Sequence, residues 1–148
     1  MARLRAKVAT MTIDPLEYSL RAHEVLEDTL HLQLTGQASP WSGAAYDAVA
    51  ANVAGTRVVL RTLAPMIDAR SRAARRQAQR SLSGVATALV ELRGRHGGYP
   101  TLNATPRRER ELVAARVAAA AESLAAIPEL IDPRPPLPVR SAFGKKPS

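Results

Sequence analysis

No cysteine occurs in the 148 residues, which excludes disulfide staples, thiolate zinc sites, iron–sulfur clusters and a cysteine nucleophile. Aromatic residues number only five, so aliphatic side chains and alanine must build the core. No run of eighteen apolar residues exists, and the basic start Met1-Ala2-Arg3-Leu4-Arg5-Ala6-Lys7 is not followed by the apolar stretch of a signal peptide. The sequence therefore predicts a chain without a transmembrane segment or export signal, cytoplasmic as written. Lysine is scarce as well, at 3 against 18 arginines, so the net charge of +8 is carried by guanidinium groups. With 46% hydrophobic residues, the chain has the composition of one globular domain rather than a disordered segment.

Proline marks the boundaries. Pro15, Pro40, Pro65, Pro100 and Pro106 frame Ala- and Leu-rich stretches that contain none, and proline is tolerated at helix starts but not in helix interiors. Four helices follow: from Asp14-Pro15 to Thr35-Gly36 with Asp14 as N-cap, from Gly43 to Leu63, from Ser71 to Arg95, and from Pro106 to Ile127 with Thr105 as N-cap. The connections are short enough for antiparallel neighbours, and strand alternation is absent. The expected fold is an all-α, antiparallel four-helix bundle over residues 14–127, after a flexible basic N-terminus (1–13) and before an extended Pro-rich tail (128–148).

The stripes agree. Leu82, Val85, Leu89 and Leu92 repeat at three- and four-residue steps in the third helix, as do Val113, Val117, Ala120, Leu124 and Ile127 in the fourth. In the second helix Val49, Val53, Leu60 and Leu63 share a face with Asn52 and Thr56, and Gly55 beside them offers room for close helix approach.

The first helix holds the candidate chemistry. Leu16, Leu20, His23, Glu27, Leu30 and Leu34 step by 4, 3, 4, 3 and 4, which puts an imidazole and a carboxylate in the expected buried seam. A lone buried carboxylate costs several kcal/mol, so Glu27 needs a partner. Three are open: a plain hydrogen bond with His23, a metal ion held by His23 and Glu27 with Glu24 or His31 as helpers, or a polar cavity facing an absent partner domain. Asn52 and Thr56 would orient the ligands from behind. His23-Glu24-x-x-Glu27 lacks the second histidine of a zincin, and neither a phosphate loop nor a Gly-x-Ser-x-Gly elbow is present, so no enzyme is expected. The run from Arg70 to Arg80 would attract phosphates, but without interleaved aromatics a solvated arginine face takes precedence over a nucleic-acid site.

Residues 21–36 (RAHEVLEDTLHLQLTG) and 51–65 (ANVAGTRVVLRTLAP) resemble the later part of EfeO/EfeM-type iron-uptake proteins of the imelysin-like group, which also carries a peptidase label. The resemblance rests on His23, Glu27, Asn52 and Gly55 and on the spacing of the two blocks. It implies a helical domain of the cell envelope that binds iron or another transition-metal ion, without catalysis, for delivery to an iron permease. The family's His-x-x-Glu hallmark does not occur here: Leu26, Leu34 and Tyr99 stand three residues after the three histidines. The chain is thus expected to be a half-length relative that completes its site with an N-terminal half-domain partner or a second copy of itself. The alternative is a helical interaction module that docks a missing partner bundle and has no metal of its own.

Overall fold

The computed structural model describes residues 12–38 and 43–132. The N-terminal segment 1–11 and most of the Pro-rich tail lie outside them. Helix α1 (Pro15–Asp28) begins as its sequence dictates: the Asp14 carboxylate accepts from the Leu16 N–H at 3.0 Å and Pro15 occupies the first turn, where no N–H is required. It then widens into a π-helical turn, Thr29–Gln33, closed by the Leu34 N–H donating to the Thr29 carbonyl at 3.0 Å. Gly36, at φ 80°, provides the stop.

Helix α2 (Ala45–Thr62) and helix α3 (Ala64–His96) share Leu63 as a one-residue junction. Sequence alone leaves residues 64–70 as a connection. They are helical instead, because Pro65 sits in a first turn where it is tolerated. The helix then breaks at Ser71 (φ −156°, ψ 95°), whose hydroxyl accepts from the Ala74 N–H at 3.2 Å, so the expected helix start at Ser71 is a true N-cap. Across the break the Arg75 guanidinium grips both oxygens of Asp68, at 2.6 and 2.9 Å. Gly97, at φ 69°, ends α3, and the Gly98 N–H donates back to the Arg93 carbonyl.

Helix α4 (Arg107–Ala125) starts one residue after Pro106. Thr105 is not its cap: the hydroxyl donates to the Thr101 carbonyl at 2.7 Å and stabilises the preceding loop instead. A short helix, α5 (Ile127–Ile131), continues where an extended tail is expected, because Ile127, Pro128 and Ile131 are apolar at helical spacing and bury on the bundle. The tail's expected starting point at residue 128 is therefore too early.

The helices form a ring in which α1 packs on α2 and α4, and α3 on α2 and α4, while the backbones of the diagonal pairs stay apart. This is the expected all-α, four-helix arrangement, with no strand among the described residues. Both leucine- and valine-rich stripes point inward: Leu82, Val85, Leu89 and Leu92 meet Val113, Val117, Ala120 and Leu124 in one core with Leu26, Val49, Val53 and Leu60. Each fully buried Leu, Ile or Val contributes about 1.5–3 kcal/mol, so these aliphatic rows can hold the fold with few rings. No helix among the described residues is long and apolar enough to cross a membrane.

The packing of α1 departs from expectation. Its buried residues are Ser19, Ala22, Leu26 and Thr29, whereas Leu20 is exposed. The inward line runs one residue ahead of the leucine–histidine seam on average, a rotation of about 100°. Small side chains explain the choice, because Ser19 and Ala22 let the backbone approach its neighbours closely, and the Ser19 hydroxyl is satisfied by donating to the Leu16 carbonyl at 2.8 Å.

Candidate functional site

This rotation decides the fate of the predicted ligands. His23 lies at the border of the core with 22% of its side chain exposed, but Glu27 has turned outward and is 52% exposed. The expected burial of Glu27 is corrected accordingly: water solvates its carboxylate. Four residues apart on one helix, the two side chains approach to 3.6 Å between His23 Nδ1 and Glu27 Oε2, an ion pair when the imidazole is protonated. Glu24 faces away and bonds Arg21 at 2.6 Å, and His31 is exposed on the π turn. Among the described residues no three His, Asp or Glu side chains gather where one metal ion could sit. His23 and Glu27 alone would offer two ligands from one turn, so the residues present do not make up a complete ion site.

The two residues expected behind these ligands serve another purpose. The Asn52 amide donates to the Thr29 hydroxyl oxygen at 2.9 Å, and that hydroxyl donates to the Val25 carbonyl at 2.7 Å. The Thr56 hydroxyl donates to the Asn52 carbonyl at 2.9 Å. The chain of bonds ties the π turn to α2 and satisfies buried polar groups without involving His23 or Glu27. Gly55 faces open space and mediates no close approach.

A second polar cluster closes the far end of α3. Glu109 receives Arg95 Nε at 2.8 Å and lies 2.7 Å from His96 Nε2. The hydrogen bond to His96, aided by the charge of Arg95, holds the Glu109 carboxyl below the usual carboxylate range. Beneath it, Tyr46 is fully buried against Tyr99, with ring centroids 6.2 Å apart, and the Arg93 guanidinium lies over the Tyr99 ring at 5.8 Å. The Tyr46 hydroxyl has no partner in hydrogen-bonding geometry; the Thr105 hydroxyl near it donates its own proton to the Thr101 carbonyl and faces the phenol only through its oxygen. Burial raises the Tyr46 phenol above its ordinary value, with Thr105 and Arg110 opposing.

The least expected feature lies between α2 and α3. Arg57 reaches across to the Leu82 carbonyl at 3.4 Å and the Ser83 hydroxyl at 3.3 Å, both long contacts to neutral acceptors. That contact marks an antiparallel register, from which helical spacing sets the stripe Arg61, Arg57, Ala54 and Ala50 of α2 on the side of Gln79, Ser83, Ala86 and Val90 of α3. At one end Arg57, Leu60, Arg61, Gln79 and Ser83 line a cleft of about 340 Å³. Beyond the cleft the stripe continues into small and apolar residues, and Val90 is 69% exposed.

Residues 57–83 hold seven arginines and one acidic residue, Asp68. Asp68 is held by Arg75, whose guanidinium keeps the carboxyl below its ordinary value. Among the described residues, which include every Asp and Glu of the chain, no carboxylate side chain pairs with Arg57, Arg61, Arg70, Arg72, Arg76 or Arg80. The 100° face rule would have placed Arg57 with Arg61 and Gln79 with Ser83, each pair one turn apart. Their meeting across two helices needed the register as well.

Neither a protein-family model nor a curated protein matches this chain.

Proposed function

We propose that the chain is a non-catalytic helical interaction module that docks an acidic, amphipathic helix of a protein partner along the α2–α3 groove. The observation that carries this reading is the set of six arginines between residues 57 and 80 that have no carboxylate of their own, beside the Arg57–Ser83 cleft and the exposed Val90 further along the same stripe. A helix laid in such a groove reads it through anchors one turn apart, apolar side chains over Val90 and Ala54, and carboxylates over Arg72 and Arg76. Charge complementarity of this kind favours rapid, salt-sensitive association and partner choice. The face lacks aromatic side chains on which bases could stack, which favours a protein partner over a single-stranded nucleic acid.

A fluorescein-labelled peptide, designed as an amphipathic helix with glutamates on one side and leucines on the other, tests the proposal by anisotropy. Binding at low salt should weaken steeply as salt rises, and should fall about tenfold or more in an R72E/R76E variant and in V90D. No binding at low salt removes the reading. Preferential binding of a short DNA duplex over the peptide would replace it with a nucleic-acid site.

A further inference from the structure

The geometry points to the Arg57–Arg61–Gln79–Ser83 cleft as a site for a phosphoryl group, so that the occupant of the groove is a phosphate monoester carried on its acidic helix. This inference deepens the interaction-module reading and rests on it for the groove, but it concerns two arginines that the peptide's outer contacts do not need. Arg57 and Arg61 stand one turn apart on α2, close enough for like charges to repel, and neither has a carboxylate partner. Arg57 spends one nitrogen, Nη2, on two weak contacts to neutral oxygens, leaving Nε and Nη1 free to donate.

Opposite them, the Ser83 hydroxyl donates to the Gln79 carbonyl at 2.8 Å, so its oxygen is turned to accept from Arg57 and fix that guanidinium's position. The Gln79 amide adds a neutral donor at the rim. The floor is Leu60, which is almost completely buried and lowers the local polarity, so charge-assisted hydrogen bonds above it are stronger than in open water. Two guanidinium charges with no anion in the lining match a ligand of charge near −2, which a phosphate monoester carries at neutral pH and a single carboxylate does not. The cleft volume, about 340 Å³, accommodates a phosphoryl group and the first atoms of the chain that bears it.

The test has two arms on the full chain. In the first, thermal unfolding is followed with inorganic phosphate against chloride at matched ionic strength. Phosphate should raise the Tm of the wild type, and the rise should vanish in R61Q, whose exposed side chain has no structural contact to lose, and in R57Q. In the second, the acidic helical peptide is compared with the same peptide carrying one phosphoserine. The phosphorylated form should bind about tenfold tighter, R57Q and R61Q should erase that difference, and R72Q/R76Q should weaken both peptides alike.

Stabilisation by phosphate alone, with no gain from the phosphoserine, assigns the site to a free ion and overturns the peptide-borne source. Equal affinities and no response to phosphate overturn the inference entirely, while binding of the unphosphorylated peptide would leave the docking groove standing. Phosphate stabilisation that persists unchanged in both single variants also overturns it.

Discussion

Replacing Tyr46 with Phe should make this protein more stable, contrary to the usual effect of altering a fully buried residue. The Tyr46 side chain has no exposed surface, and its hydroxyl finds no hydrogen-bond partner. In the unfolded chain water satisfies that group; in the folded chain no protein group does in hydrogen-bonding geometry, at a cost of about 1–3 kcal/mol. Phe keeps the ring, its contact with Tyr99 and its volume, so the cavity term is close to zero. The expected gain is about 1–2 kcal/mol, a rise of roughly 3–8 °C in Tm for a domain of this size.

Urea titration followed by far-UV circular dichroism measures the gain as a shift in midpoint at constant slope. Because burial raises the Tyr46 phenol above its ordinary 10.0, its neutral form is favoured in the folded state. Its contribution is therefore intact below pH 10 and lost as pH rises through the elevated folded value, and the Phe variant should lack this alkaline loss. A double-mutant cycle with Thr105→Val completes the test. That substitution removes the bond to the Thr101 carbonyl and should destabilise on its own, with little coupling to position 46. A loss of more than about 1 kcal/mol in Tyr46→Phe, or strong coupling to Thr105, would mean that the hydroxyl is bonded in the native protein, and the reasoning fails.

Asp68 and Glu109 both have carboxyls lowered by their partners, Arg75 first in one case and His96 first in the other, so each contributes stability that is present above the unfolded carboxylate range and lost as pH falls through its folded value. Arg75→Gln and His96→Asn should each flatten the acid limb of the urea midpoint against pH; an unchanged limb rules out the linkage. Leu89→Ala, at the centre of the α3 stripe, should cost about 2–5 kcal/mol in the same titration. Glu27→Ala should stay within about 0.5 kcal/mol of wild type, because the carboxylate is half exposed and its nearest imidazole contact is at 3.6 Å; a larger loss would return Glu27 to the interior. Asn52→Ala removes the donor to Thr29 and should destabilise by about 1 kcal/mol, chiefly by loosening the π turn from α2.

Helices α3 and α4 were readable because strong apolar residues recur there at three- and four-residue steps, and Asp14, Ser71 and Gly97 announce their roles through side-chain or backbone chemistry that acts locally. Helix α1 was misread at the level of its face. Hydrophobicity favours a line through Leu16, Leu20 and Leu30, whereas packing favours Ser19, Ala22 and Thr29, whose small size and internally satisfied hydroxyls appear in no periodicity count. With the face turned, Glu27 left the core and His23 stayed at its border. The α2–α3 cleft was hidden for the opposite reason: Arg57, Arg61, Gln79 and Ser83 are ordinary surface residues on each helix alone. Only the antiparallel register gives them a common purpose.

The π turn at Thr29–Gln33 sets the bearing on which the chain leaves α1. It holds one residue more than a regular turn would, so an unbroken α-helix of the same length would swing Leu34 and Gly36 round by about 100°. The link to α2 would then depart from another side of the bundle. The winding at this one point thus steers where the second helix can land.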